Sequence, residues 1–213
     1  MLVIPIYNTI ILPDVQYNLE PDSLTDREKS ALKVEDTVIL LPLKEEKTRE
    51  ELRAEDFYPI WLTGVIKGIR NADGDLIMAV RTELKVKVVN LVANREVLNA
   101  EYEIIYDEAD IDEREQRAVF NMVLENLAQI SSYFQWGSWA MRFSEKLDNV
   151  NEVISIVGPY TDLTVEEKYA MLETDSLMER YHLISEAMIK YKDLVELQVD
   201  INKKIQDKQG DNY

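Results

Sequence analysis

The opening of the chain carries two short apolar runs, Leu2-Val3-Ile4-Pro5-Ile6 and Ile10-Ile11-Leu12-Pro13. Each is strand-like and tied to a proline, with a polar break at Tyr7-Asn8-Thr9 between them. Val38-Ile39-Leu40-Leu41-Pro42-Leu43 has the continuous apolar character of a strand buried on both faces. Trp61-Leu62-Thr63-Gly64-Val65-Ile66 and Leu76-Ile77-Met78-Ala79-Val80 flank Asn71-Ala72-Asp73-Gly74. That pattern predicts a hairpin in which Gly74 takes the positive φ of a tight turn with a bulge. Lys85-Val86-Lys87-Val88 alternates with period two, which puts the valines on a core face and the lysines in water. Glu101-Tyr102-Glu103-Ile104-Ile105-Tyr106 alternates in the same way. Residues 1 to about 106 therefore read as strands of a compact mixed or barrel-like sheet, interrupted at 42–58 by a charged loop. In that loop Thr48-Arg49-Glu50-Glu51 has capping-box spacing and predicts one helical turn.

The period then becomes helical. Val119, Val123, Leu127, Ile130 and Phe134 recur at three- and four-residue steps on one face. Residues 150–157 form a short apolar helix stopped by Gly158-Pro159, with the glycine suited to a left-handed cap. Thr164-Val165-Glu166-Glu167 and Ser176-Leu177-Met178-Glu179 are further capping boxes. The second opens a helix running to about Asp207 without Gly or Pro. Its seam of Leu177, Tyr181, Ile184, Met188, Tyr191 and Val195 is heptad-like, and a bundle this small leaves its far part to project or to pair with another chain. The fold class expected is α+β, with a β-domain over 1–108 and a helical bundle over 109–213 whose long helix starts near 176. Eight acids against one base, Arg114, fall in residues 101–115 at the junction.

Composition narrows the function. The chain has 213 residues, 46% of them hydrophobic, enough to bury a core. Its net charge of −17, from 41 acids and 24 bases, is the wrong field for a phosphate backbone or an anionic membrane surface, so neither nucleic acid nor membrane is expected as a partner. There are no cysteines, which removes disulfides and thiolate chemistry and suits a reducing, cytoplasmic setting. No apolar run approaches the length of a membrane span, and the start lacks the layout of a secretory signal.

Candidate chemistry is sparse. His182, the sole histidine, lies inside the long helix with Glu179 and Glu186 on either side, too few ligands for a metal. Asp107, Glu108, Asp110, Asp112 and Glu113 lack the glycine turn of a calcium loop and read as helix-start and linker acids. Gly64-x-x-x-Gly68 reads as a strand, and no Gly-x-x-x-x-Gly-Lys-[Ser/Thr] loop occurs. No catalytic, cofactor-binding or metal-binding residue is assigned. The aromatic stretch from Ser131 to Phe143 divides between core and surface readings. Tyr133, Phe134, Trp136 and Trp139 are the candidate contacts for apolar peptide segments.

The opening runs, in order and spacing, resemble the N-terminal signature of the Lon family of ATP-dependent proteases, a Leu-Pro-Leu-Arg-Asn-like run leading to an apolar run and Phe-Pro. Asp56-Phe57-Tyr58 through Gly64-Val65-Ile66 is similar to that family's Asp-Leu-Tyr and Gly-Thr-Val-Ala run, and Asn71-Ala72-Asp73-Gly74 to its Pro-Asp-Gly-Thr hairpin. Leu163-Thr164-Val165-Glu166-Glu167-Lys168 through Met171-Leu172-Glu173 resembles Leu-x-x-Glu-Glu-Lys-Gln-x-Leu-Leu-Glu. Ser176-Leu177-Met178-Glu179-Arg180 sits where the family has Asp-Val-Lys-Glu-Arg. The family's glycine within the strand at 80–84 is missing.

The resemblance implies a PUA-like β-domain, a helical bundle and a long helix. It implies recognition of unfolded, damaged or tagged substrate proteins, and a share in holding a hexamer of copies together. The ATPase module, with its ATP and Mg²⁺, and the Ser-Lys protease module would follow in a longer chain, so these residues would bind without cutting. The alternative is a stand-alone LON-domain adapter or ligand-binding module without protease activity. An RNA-binding PUA module would need a basic face, against the charge balance.

Overall fold

The computed structural model describes residues 1–93, 98–135 and 137–210. The first apolar run forms β1 (Leu2–Tyr7), which pairs parallel with β3 (Thr37–Leu43), Leu2 opposite Val38 and Tyr7 opposite Leu43. A parallel pair needs a long crossover. Here it contains β2 (Gln16–Leu19) and a short helix, α1 (Asp26–Ala31). β4 (Ile60–Ala72) runs antiparallel to β3 and turns into β5 (Asp75–Ala93). The far edge of β5 takes β2 at residues 78–81 and β6 (Leu98–Ile104) at residues 86–93. The result is a six-stranded mixed sheet in the order β1-β3-β4-β5-β2, with β6 beside β5. It is not closed: among the described residues no ladder joins β6 to β1, although the Tyr102 hydroxyl comes within 3.8 Å of the Met1 sulfur.

Several local expectations change. Ile10, Ile11 and Leu12 are buried but form no strand. The Leu12 backbone is satisfied by side chains instead, its N–H donating to Tyr17 Oη (2.9 Å) and its carbonyl accepting from Thr82 Oγ1 (2.6 Å). At the hairpin, Asp73 (φ 52°) and Gly74 (φ 99°) make a two-residue turn with Ala72 directly opposite Asp75, so no bulge is needed there. The bulges lie within the ladder. Leu62 opposes Lys85 and Gly64 opposes Thr82, which leaves Glu83 and Leu84 together against Thr63. Residues 48–51 form a turn, in which Thr48 N–H and Oγ1 both bond Glu51, and the helical turn comes later, at Ala54–Asp56. α1 departs from the strand reading of residues 1 to about 106, and its signal is Thr25-x-x-Glu28, a reciprocal capping box in the structure.

After Ile104 the chain crosses to α2 (Glu113–Ser131), α3 (Gly137–Ser144), α4 (Val150–Val157), α5 (Val165–Glu173) and α6 (Leu177–Gly210). Asp112 with Glu115 and Thr164 with Glu167 close the capping boxes of α2 and α5. Gly158 is right-handed helical (φ −48°), not left-handed. Its missing side chain serves packing, since a Cβ would stand 2.7 Å from Ile10 Cδ1. One apolar cluster spans sheet and helices, joining Ile4, Leu12, Leu40, Leu62, Ile66 and Val80 to Val123, Ile130, Val153, Ile154, Ile184 and Met188. A second fills the other side of the sheet with Val3, Ile39, Leu41, Phe57, Trp61 and Val86. Each side chain buried this fully contributes about 1.5–3 kcal/mol.

α6 is 34 residues, roughly 50 Å, long. Its expected seam is buried or half-buried as far as Val195, and residues 200–208 are exposed all round. Leu197, Ile201 and Ile205 stand in water, so the far end projects.

Candidate functional site

Polar side chains fasten the helices to the sheet and its flanking loops at several places, Tyr17 to Ser155 and Arg81 to Glu152 among them, and three further joints involve residues singled out in the sequence. At the first, Lys168 of α5 is buried, and its Nζ donates to Asn8 Oδ1 (2.7 Å) and the Asn8 carbonyl (3.2 Å). Asn8 sits in the left-handed region (φ 52°), held there by the lysine. Both partners are neutral, and burial lowers the Lys168 pKa from its ordinary value.

The second joint corrects an expectation. Lys85 is not in water but 3% exposed, and its Nζ donates to Asp107 Oδ1 (2.8 Å), Asp175 Oδ1 (2.9 Å) and the Thr174 carbonyl (2.9 Å). Arg180, in the first turn of α6 and 1% exposed, grips Asp107 through Nη1 (2.5 Å) and Nη2 (2.7 Å). It also donates to the carbonyls of Met171 and Thr174 (2.8 Å each). Burial alone would raise the Asp107 pKa. The guanidinium of Arg180 and the ammonium of Lys85 overcome that and hold it below the usual carboxylate value.

At the third joint Asp110 accepts from Met178 N–H (2.9 Å) and Ser176 Oγ (2.5 Å), while Ser176 Oγ accepts from Glu179 N–H (2.9 Å). These bonds fill the open N-terminus of α6. The junction acids are thus divided: Asp112 caps α2, Asp110 caps α6, and Asp107 is an ion-pair anchor. His182 is exposed on α6, 3.4 Å from Glu186. Among the described residues no three His, Asp or Glu side chains are grouped to hold a metal ion.

The candidate contact residues separate. Tyr133 is exposed and donates to Glu196 of α6 (3.3 Å), whereas Phe134 is half-buried against the core. Trp136 and the side chain of Trp139 lie outside the described residues. Gly137 allows the tight passage from α2 to α3, because a Cβ there would fall 2.1 Å from the Ser131 carbonyl oxygen. Met141 and Phe143 of α3 add exposed apolar surface near this turn. Sequence reasoning passed over two other surfaces. An open groove of roughly 600 Å³ runs beside β1, lined by Pro5, Tyr7, Thr25, Lys47 and Arg49 among others. An apolar patch lies on β5 and the end of β6 at Leu84, Ile104 and Tyr106. Together these features offer surfaces for another molecule on a braced scaffold.

The model of the ATP-dependent protease La (LON) substrate-binding domain matches residues 1–190. The chain belongs to this Lon substrate-binding family. Lon proteases of Clostridium beijerinckii and Methanosarcina barkeri are similar to it, at 24% and 25% identity over 212 residues each. Those matches cover 99% and 97% of this chain but only 27% and 26% of the relatives, so the chain spans about a quarter of their length. Among solved structures, the N-terminal domain of a Mycobacterium avium complex Lon protease superposes with a TM-score of 0.55 at 17% identity, covering 87% of this chain and 96% of that one. A Lon N-terminal domain protein from Xanthomonas campestris gives 0.52 at 12%, covering 84% and 93%. At these identities the likeness is one of fold.

The Lon motif residues find a physical role in the joints. Asn8 belongs to the opening signature, Lys168 to the α5 stretch and Arg180 to the start of α6, and each lies in a bond between sheet and helices. Among the described residues no helix is long and apolar enough to cross a membrane.

Proposed function

We propose that this domain recognises unfolded, damaged or tagged polypeptides for a larger Lon-type protease. In this reading the ATPase module, which would use ATP and Mg²⁺, and the Ser-Lys protease module lie in the rest of that protein, and these residues bind substrate without cutting it. The reading rests on the family match across residues 1–190. The exposed apolar surfaces at Tyr133, Met141 and Phe143, and at Leu84, Ile104 and Tyr106, supply what a binder of unfolded chains needs. We further assign α6 a share in assembly: Leu197, Ile201 and Ile205 are exposed at four-residue steps on its projecting end and suit packing between copies in a cytoplasmic hexamer.

The test is a titration of this domain against a permanently unfolded protein and against the native form of the same protein. Preferential binding of the unfolded form is expected, with modest affinity for a single copy because several linked copies share the grip in an assembly. Equal binding to both forms, or binding to neither, refutes the reading.

A further inference from the structure

We infer that the projecting end of α6 pairs antiparallel with the same segment of a second copy of this chain, in a register centred on Ile201. This rests on the assembly reading of α6 above and adds the direction of the partner. Residues 200–208 are exposed, and so are Leu197 (56%), Ile201 (47%) and Ile205 (49%). At about 100° per residue these three apolar side chains advance by roughly 40° per step and form one stripe. The stripe lies about a third of a turn round the helix from the buried seam of Ile184, Met188 and Val195. The body of the domain therefore leaves it open.

Charge identifies the occupant. Along this segment the acids Asp193, Glu196 and Asp200 come first and the bases Lys203, Lys204 and Lys208 follow. Asp207 is the one acid among those bases, and Lys192, just before the acids, is engaged by Glu196 (3.9 Å). Asp193, Asp200, Lys204 and Lys208 are all exposed, and helical spacing sets them along one edge of the stripe, on the side of α6 opposite the seam. The other edge carries Gln198 and Asn202, which are neutral. A single edge that is acidic in its first half and basic in its second is complementary to its own reverse.

The same pattern fixes direction. In a two-fold antiparallel pair each edge meets the same edge of the other copy, running the opposite way. With Ile201 at the axis, Leu197 packs on the second copy's Ile205, Asp200 falls near its Lys204, and Asp193 falls near its Lys208. Symmetry makes each of these contacts twice. A parallel pair would instead set the charged edge against the second copy's Gln198 and Asn202 and forfeit every one of the charge pairs. Complementary charges beside an apolar seam select register and orientation in this way. The net charge of −17 on each copy opposes their approach at low salt. At an ionic strength of about 0.15 M that repulsion is screened beyond roughly 8 Å, while the facing edges stay within reach of each other.

The chain has no cysteine, so introduced ones report direction without background. On mild oxidation Ile201→Cys is expected to link to itself. An equimolar mixture of Leu197→Cys chains and mass-tagged Ile205→Cys chains should give the mixed dimer severalfold over either self-linked one. Sedimentation equilibrium of the parent chain should show a dimer that Lys204→Glu with Lys208→Glu weakens about tenfold. Adding Asp193→Lys and Asp200→Lys to that variant should restore it, since the reversed edge is again complementary to itself. Thermal melting verifies that these substitutions, all at exposed positions, leave the fold intact. Self-linked dimers at 197 and at 205 in place of the mixed one, or a dimer indifferent to the charge reversals, overturn the antiparallel pair while leaving α6 its share in assembly. A chain that stays monomeric at about 1 mM and cross-links at none of the three positions removes both. Neither result touches the substrate-binding reading, which the titration with unfolded protein tests separately.

Discussion

Replacing Asp107 with alanine should destabilise the domain far more than the loss of a linker acid ordinarily would. Its carboxylate accepts from Arg180 Nη1, Arg180 Nη2 and Lys85 Nζ at 2.5, 2.7 and 2.8 Å, and those cations are 1% and 2% exposed at their side chains. Removing one member of a buried pair costs about 3–5 kcal/mol, because it strands an uncompensated charge. Here the loss is softened. Arg180 keeps the carbonyls of Met171 and Thr174, and Lys85 keeps Thr174 and the more exposed Asp175. Among the described residues Arg180 Nη1 keeps no other hydrogen-bond partner. A net cost of about 3 kcal/mol follows, a large share of the roughly 5–15 kcal/mol typical of a folded domain.

Urea denaturation at pH 7 measures this directly, and a cost below about 1 kcal/mol would refute the reasoning. Acid supplies a second reading. The Asp107 pKa is lowered in the folded state, so its contribution is present above the unfolded value near ~3.9 and is lost as pH falls through the folded value. Asp107→Asn should therefore flatten the acid limb of stability relative to the parent. Replacing Lys85, Asp107 and Arg180 together by Met, Leu and Met should recover most of the alanine variant's loss, since no stranded charge remains.

The other joints make shorter predictions. Lys168→Met should cost about 1–3 kcal/mol by removing both donors to Asn8, and hydrogen exchange should rise first around residues 8–11. Because burial lowers the Lys168 pKa, the parent should gain stability at this site as pH rises toward the unfolded lysine value near ~10.4, and the methionine variant should not. Gly158→Ala drives a Cβ to 2.7 Å from Ile10 Cδ1 and should cost about 1–3 kcal/mol in denaturant. Ile10→Val removes the opposing methyl, so the double variant should lose less than the two single costs combined, and additivity would count against the contact.

How much of this was legible beforehand depended on whether a residue's role was local. The Asp73-Gly74 turn, the capping box at Thr164 and the uninterrupted run of α6 are local, and sequence spacing reveals them. Lys85 shows the limit. Period two correctly placed Lys85 and Lys87 on one face and Val86 on the other, but it could not say that the turn before α6 covers that face at Lys85 and leaves it open at Lys87. Ile10-Ile11-Leu12 failed for a related reason. An apolar run predicts burial, while strand pairing requires a free partner edge, and here Tyr17 and Thr82 take the Leu12 backbone groups instead. The patch at Leu84, Ile104 and Tyr106 was hidden because its members, twenty residues and more apart, become neighbours only through a bulge and a register.

The joints also give a reason for keeping charged residues buried in this domain. A helix roughly 50 Å long that is free along its last third acts as a lever, and a tilt of about 10° at its base would move its tip by roughly 9 Å. Apolar packing fixes the depth of such a helix better than its direction, because dispersion contacts are individually weak and tolerate small slips. Arg180 fixes direction. Its planar guanidinium is held by Asp107 and by two carbonyls from the chain just before α6, so rotation about the helix base breaks several short bonds together. Asp110 holds the same end from the other side of Ser176. Asp107, bonded to both Lys85 of β5 and Arg180, ties the sheet to the base of α6. If polypeptide is gripped on the sheet while copies meet along the projecting end, the spacing between grip and assembly is set by the buried ion cluster rather than by the hydrophobic core.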